Sequence, residues 1–324
     1  MTNISFKGKI VLSEDFVFSE RNILCRGLRL SCGYGVFMDL SAVIVNFNTK
    51  DLCTQTIQAF FETSGDLKCE VIICDNSSVK EEVFSSDDER VKVFKGLPNR
   101  GFGAASNFGA RRAEGDFILF LNSDTVLKDN AIIKAVDFMR KNPDIGCLGI
   151  RTLLEDGSFD HGCKRGFPTP FRAFCYFSHL DRLFPKSKKI GGYRMTYISE
   201  EETAQVECVS GAFMLMPGEV FLKTGGFDEN IFMHGEDIDL CRRIELLGLK
   251  IVYKGDIHMI HLKGRSGLYT KKTDSIKSFY DGITYVYDKY YNRKHGRAGT
   301  LFFHAAIGLK CTVTLLRHRL SGGR

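Results

Sequence analysis

The stretch Gly115–Asn130, "GDFILFLNSDTVLKDN", decides how the chain is read. Five apolar residues, Phe117 to Leu121, run straight into Asn122, Ser123 and Asp124, and a helix-like run follows. A short, unbroken apolar run is the pattern of a strand buried on both faces. Its polar end poses a choice. Asp124 either caps the next helix or holds a ligand beyond the end of the strand.

The flanking sequence repeats the theme. "SAVIVN" (Ser41–Asn46), "CEVIIC" (Cys69–Cys74), "VKVF" (Val91–Phe94) and "CLGI" (Cys147–Ile150) read as further strands, the second ending in Asp75-Asn76-Ser77-Ser78. Helical spacing separates them. Thr49 is placed to cap a helix with Leu52, Cys53, Ile57, Phe60 and Phe61 on its apolar side. A second helix is predicted over Gly101–Ala113, and a third over Asp129–Lys141, stopped by Asn142-Pro143. Strands alternating with helices predict an α/β fold with a Rossmann-like, mostly parallel central sheet flanked by helices. In such sheets ligands bind beyond the carboxyl ends of the strands, where both Asp75 and Asp124 fall. Residues 151–205 read as long loops with short helices. A strand over Val206–Met216, a helix over Glu236–Leu247 and two β runs follow.

Composition bounds the class. At 324 residues and 44% hydrophobic, the chain has the material for a substantial core. The formal charge of +6 is unevenly spread, since no acidic residue follows Asp288. That basic end predicts an anionic surface as partner, and without a nucleic-acid-binding motif the reading is lipid rather than RNA or DNA. Eleven cysteines, odd in number and without a C-x-x-C pair, read as reduced core residues of a cytosolic protein. No stretch reaches the roughly 18 uninterrupted apolar residues of a membrane span. Residues 1–37 read as an N-terminal extension, 38–270 as the main domain and 271–324 as a basic C-terminal helical region.

Several groups carry chemistry or an ordinary structural role. One carboxylate after a strand suits Mg²⁺ or Mn²⁺ if phosphates and water complete the shell, and a turn aspartate is the equal alternative for Asp124. In "HGEDIDLCRR", Glu236 and Asp237 open a helix. A carboxylate there could take a proton from a hydroxyl, or simply pair with Arg242 or Arg243. In "HMIHLKGRS", His261 suits a metal and Arg265 a phosphate, and either could be an ordinary loop residue. The glycines of "NRGFGAASNFG" permit a close backbone approach before a helix, yet their spacing fits neither the dinucleotide fingerprint nor a P-loop.

The order of these pieces resembles the inverting glycosyltransferases of family 2, and within them the bacterial rhamnosyltransferase-like branch. "AVIVNFN", "VIICDNSS", "NRGFGAASNFG", "GDFILFLNSD", "VSGAFMLM", "GGFDENIFMHGEDIDLCRR" and a final His-x-x-Gly-Arg-Ser stand in the family's sequence, from about Asp39 to Ser266. The resemblance implies a GT-A fold, a nucleotide-sugar donor and a divalent metal. It implies donor contacts from Asn46, from Asp75 at the base or ribose, and from Asn99 and Asn107. Ser123, Asp124 and Arg265 would face the diphosphate. It implies Asp124, and less strongly His261, as metal ligands, with Asn122 standing where the family often has aspartate. Asp237 corresponds to the catalytic base, with Glu236 second.

The resemblance further implies a single displacement with inversion, from dTDP-rhamnose first and a UDP-hexose second, to a saccharide or lipid-linked acceptor in cell-surface polysaccharide synthesis. The tail "GTLFFHAAIGLKCTVTLLRHRL" reads as an interfacial helix on the inner leaflet, or as a helix packed on the domain. A non-catalytic, nucleotide-sugar-binding relative is the competing class.

Overall fold

The computed structural model describes residues 38–262 and 272–320; the expected N-terminal extension and Arg265 lie outside them. The elements, in chain order, are β1 (Leu40–Asn46), α1 (Lys50–Thr63), β2 (Cys69–Asp75), β3 (Val91–Phe94), α2 (Phe102–Ala110), β4 (Phe117–Asn122), β5 (Thr125–Leu127), α3 (Ala131–Lys141) and β6 (Ile145–Leu153). Then come β7 (Lys164–Arg165), α4 (Pro170–Phe177), α5 (Leu180–Leu183), β8 (Ala204–Val206), β9 (Cys208–Val209) and β10 (Phe213–Pro217). The last are α6 (Gly218–Thr224), α7 (Glu236–Leu246), β11 (Lys250–His261), α8 (Lys272–Tyr290) and α9 (Asn292–Leu320).

Nine strands form the central sheet, in the order β3-β2-β1-β4-β10-β6-β11-β5, with β8 also paired to β11. The parallel half is β3-β2-β1-β4. Beyond it β10 runs antiparallel to both β4 and β6, β11 is parallel to β6, and β5 and β8 are antiparallel to β11. Alternate residues of each strand feed opposite faces. Ala42, Ile44, Val71 and Ile73 join a core with Ile57 and Phe60 of α1 and Val136 of α3. Val43, Ile72 and Phe120 join another with Ala105 of α2, Phe221 of α6 and Ile244 of α7.

Several expected boundaries moved. α3 starts at Ala131, not Asp129, because Asp129 and Asn130 are left-handed at φ 54° and 57°. The helix expected over Gly101–Ala113 ends at Ala110. Thr49 is at the N-cap of α1 but makes no capping hydrogen bond. Its hydroxyl instead reaches Asn46 Oδ1 at 2.9 Å and Ser123 Oγ at 2.8 Å. The single strand expected over Val206–Met216 is three short ones, and Cys208–Val209 leaves the main sheet to pair with Lys164–Arg165. Glu207 anchors the break, accepting from Phe167 N at 2.6 Å and from both terminal nitrogens of Arg172 at 2.6 and 2.8 Å. All nine cysteines among the described residues are free, eight of them buried, as the composition predicts.

The C-terminal helices are bonded into this framework. Asp239 of α7 accepts from Arg243 at 2.6 Å, from Lys289 at 2.6 Å and from Tyr290 at 2.7 Å. Lys289 also meets Asp228 at 2.6 Å. α9 packs on α8 through Phe303, stacked on Tyr287 at 3.7 Å between ring centroids. Gly282 of α8 lies so close to the loop before α7 that an added Cβ would sit 1.7 Å from the His234 carbonyl oxygen.

That approach makes a matched pair of substitutions informative. In an open helix, Gly→Ala stabilises by about 0.8–1 kcal/mol. Gly308 of α9 has nothing within 4 Å of its Cβ position, so Gly308→Ala should show that gain. At Gly282 overpacking costs about 1–3 kcal/mol and should reverse the sign. Denaturant unfolding of both variants measures this; a gain at Gly282 would refute the docking of α8.

Candidate functional site

Three parallel strands end on one rim. In register, Asn46 of β1 pairs with Asp75 of β2, and Val45 with Asn122 of β4. Asn46 Nδ2 donates to Asp75 Oδ2, Ser77 Oγ and the Glu82 carbonyl, each at 3.0 Å. Asp75 also accepts from Ser77 N at 2.9 Å and Phe84 N at 2.5 Å. Both side chains are wholly buried. Asn46 and Asp75 therefore shape the turn after β2 as much as they line the rim. Asn76, next in sequence, leaves its Oδ1 buried and, among the described residues, without a partner, while its Nδ2 approaches Asn99 Oδ1 at 3.4 Å. Asn99 itself is exposed at that rim.

Asp124 does not cap a helix. It sits between β4 and β5, and α3 begins only at Ala131. Ser123 is held by Thr49, and Thr56 Oγ1 bonds the carbonyls of Ser123 and Thr125 at 3.0 and 2.8 Å. This lock turns Asp124 toward β11. Its Oδ1 lies 3.0 Å from His261 Nε2, and Asn122 Nδ2 lies 3.3 Å from the same nitrogen. His261 ends β11 where that strand pairs with β5, His261 opposite Thr125. The His261 ring is buried, and its Nδ1 has no partner among the described residues.

The second half of the site is the start of α7. Glu236 and Asp237 are both buried there. Asp237 Oδ2 accepts from Gly211 N at 3.2 Å and forms an ion pair with Arg165; its Oδ1 accepts from Ile238 N at 2.8 Å. Neither Arg242 nor Arg243 is its partner, since these meet Glu245 and Asp239. The neighbouring Ala212 carbonyl accepts from Asn122 N at 3.2 Å. Two adjacent residues, Gly211 and Ala212, thus tie the Asp237 carboxylate to the end of β4.

Electrostatics separate the two acids. Burial first, and then the Asp237 carboxylate beside it, push Glu236 up to about 8. Burial by itself lowers Arg165, but the charge and hydrogen bond of Asp237, together with Cys208 and Tyr193, hold the guanidinium well above its ordinary range. At neutral pH, Glu236 is therefore a neutral acid beside an ion pair.

Other expected positions fall elsewhere. Asn107 has its amide engaged by the loop after α6, donating to the Phe227 carbonyl at 2.9 Å and Glu229 at 3.0 Å and accepting from Phe227 N at 2.8 Å. Gly101, at φ 96°, abuts the Phe232 backbone, so the close approach anticipated for this glycine is made by the protein itself. Arg165 and Gly211 were not anticipated. Arg165 sits in a stretch with no period, and only the pairing of β7 with β9 carries it to Asp237.

A divalent cation fits the donors present. Carboxylate oxygen and imidazole nitrogen together suit Mn²⁺ or a similar ion, and among the described residues His261 Nδ1 has no hydrogen-bond partner. Among the described residues no cluster of three or more such side chains exists, so further ligands would come from substrate and water.

Comparison with known proteins bears on the family and the fold. Residues 41–201 match the family model for glycosyl transferase family 2. The O-antigen biosynthesis protein RfbC of Myxococcus xanthus is 25% identical over 87% of this chain and 21% of its own length. The rhamnosyltransferase WbbL of Escherichia coli K12 is 31% identical over 50% of this chain and 60% of its own. The N-acetylglucosaminyl-diphospho-decaprenol L-rhamnosyltransferase of Mycobacterium tuberculosis is 28% identical over 47% of this chain and 48% of its own. The chain thus spans between a fifth and three-fifths of these relatives. Among solved structures, GalNAc-T7 with UDP, GalNAc and Mn²⁺ superposes with a TM-score of 0.51 at 18% identity, over 82% of this chain and 52% of that one. That likeness is one of fold, GT-A.

The neutral Glu236 has a measurable consequence. Its ordinary value is 4.5, so between about 4.5 and about 8 the native state keeps a proton that the unfolded state has released. The stability it contributes is full below about 4.5 and lost as pH rises through about 8. Glu236→Gln should abolish that loss. Denaturant unfolding of both proteins across this window should show the wild type falling relative to the variant; parallel profiles would show that Glu236 is not held neutral.

Proposed function

The chain belongs to glycosyl transferase family 2, and from that premise we propose that it moves a sugar with inversion from a nucleoside diphosphate donor to a saccharide or lipid-linked acceptor hydroxyl. The observation that carries this reading is the Gly211–Ala212 link. It brings a carboxylate at the start of α7 beside the carboxylate–imidazole pair at the end of β4.

In this reading the donor lies across the rim, its nucleoside near Asp75, Asn76 and Asn99 and its diphosphate at Ser123, Asp124 and His261. Asp124 and His261 would hold Mg²⁺ or Mn²⁺, which when bound offsets negative charge on the leaving diphosphate. Asp237 takes the acceptor proton. Its Oδ1 keeps a lone pair beyond the Ile238 contact, while Arg165 and Gly211 fix Oδ2. The acceptor oxygen bonds to the anomeric carbon as the bond to the diphosphate oxygen breaks, and the proton passes to Asp237. Glu236, neutral near pH 7, is a poor base there, which favours Asp237 of the two. A rhamnosyl donor on dTDP is the first choice, in keeping with the named activities of two relatives. A UDP-hexose is the second. Cell-envelope polysaccharide is the product class.

The long α9 supports a place on the cytoplasmic membrane face. Within its Gly296–Leu320 stretch of 25 residues an 18-residue window has a mean hydropathy of 1.4 with little of it buried, so by length and composition it passes for a span. Phe303 and Ile307 are buried against α8, and Lys310 and His304 interrupt the run, so we favour a helix lying on the surface.

Calorimetry tests the donor site. The wild type should bind dTDP or UDP more tightly with Mn²⁺, and Asp124→Ala should lose that metal dependence. Asp237→Asn should bind as the wild type does, yet transfer roughly 10²–10⁴-fold more slowly. A folded wild type that binds neither nucleotide would leave the non-catalytic reading in its place.

A further inference from the structure

We propose that α4 and α5 form a second lipid-contacting surface that continues the exposed face of α9 and seats the Arg165–Asp237 end of the site against an anionic bilayer. The inference rests on the membrane reading of α9, and extends it to a segment outside the tail.

Its first support is unusual exposure. Phe171 and Phe174 of α4 are 46% and 61% exposed, and Leu183 and Phe184 at the end of α5 are 71% and 53% exposed. A soluble surface scatters such residues singly, and a cluster of aromatic and leucine side chains within fourteen positions marks a contact surface. α4 is built to present them. Thr169 caps it at 3.4 Å from Arg172 N, Pro170 opens it, and Ala173 and Cys175 face inward.

Charge identifies the partner. From His161 to Ser199 the chain carries eight lysines and arginines and one acid, Asp181, whose side chain is wholly buried. Arg182, Lys186, Lys188 and Lys189 are exposed around the apolar cluster. Lys189 Nζ lies 5.4 Å from the Phe171 ring centroid, an apolar ring with a cation at its margin. Rings that enter the acyl boundary with lysines reaching phosphate headgroups describe an anionic lipid interface.

The segment touches α8 and, through it, α9. Phe177, at the end of α4, stacks with Tyr280 of α8 at 6.2 Å, and Lys310 of α9 reaches to 5.4 Å from the Phe177 ring. Tyr280 in turn bonds Thr314 of α9 at 2.9 Å. α9 exposes Leu301, Phe302 and Leu309, with Arg317 and Arg319 toward its end. The same segment leads directly into the site, because only four residues separate Arg165 from Pro170 and the Arg172–Glu207 pair braces α4 to the break just before β9, four residues ahead of Gly211. A bilayer under α4 would bring the head of a lipid-linked acceptor to Asp237.

The chain has no tryptophan, which provides a clean reporter. Full-length Phe174→Trp is mixed with vesicles of phosphatidylcholine and phosphatidylglycerol, and binding is scored by flotation in parallel. We expect a blue-shifted emission, quenching by brominated acyl chains, and a roughly tenfold drop in vesicle binding when Phe171, Phe174 and Phe184 are all changed to serine. Protein that floats with the vesicles while its tryptophan stays unshifted and unquenched would overturn the α4–α5 surface and leave the α9 reading standing. A wild type that does not float would overturn both.

Discussion

A strand buried on both faces has nowhere to put a polar side chain except its ends. β1, β2 and β4 are such strands, covered by α1 and α3 on one side and by α2, α6 and α7 on the other. Their parallel register then brings Asn46, Asp75 and Asn122 to one rim. The clustering of amides and carboxylates there is a consequence of burial. Hydrogen bonds to backbone amides and hydroxyls satisfy Asn46 and Asp75, which is the condition for keeping them in the interior.

The second half of the site depends on an interruption. β9 and β10 are kept apart by Ser210, Gly211 and Ala212, and the gap exposes one N–H to Asp237 and one carbonyl to Asn122. Arg165 completes the arrangement from the small β7–β9 pairing. Removing one partner of a buried ion pair costs about 3–5 kcal/mol, because the other is left uncompensated. Arg165 is therefore the partner that offsets the buried Asp237 carboxylate, and burial, with that carboxylate beside it, raises Glu236.

The C-terminal helices belong to this machinery. α8 touches α7 through Asp239, Lys289 and Tyr290, and approaches the loop before α7 at Gly282. The Tyr287–Phe303 stack joins α9 to α8, which in turn is bonded to the helix that carries Asp237. A polar network joined to a stacked aromatic core is stiff, and interiors packed in this way transmit strain.

The α/β class and the four parallel strands follow from apolar runs alone, because a doubly buried strand and an amphipathic helix differ in period. Asp124, Asp237 and His261 stood out as candidates because each lies at the boundary of a readable element, while the roles assigned to them came from the resemblance. The antiparallel β10, the broken run after Val206 and the partner of Asp237 were not legible. These depend on contacts between residues 26 to 139 positions apart, such as Gly211 with Asp237, Arg165 with Asp237 and Asn122 with His261. Periodicity reports which face a residue buries and carries no information about which distant segment meets it. The sequence by itself determined the strands, their polar ends and the basic, apolar tail. The tertiary structure alone decided that Arg165 holds Asp237, that Asn107 pins a loop and that α8 docks on the helix carrying Asp237, since each depends on pairing across the chain.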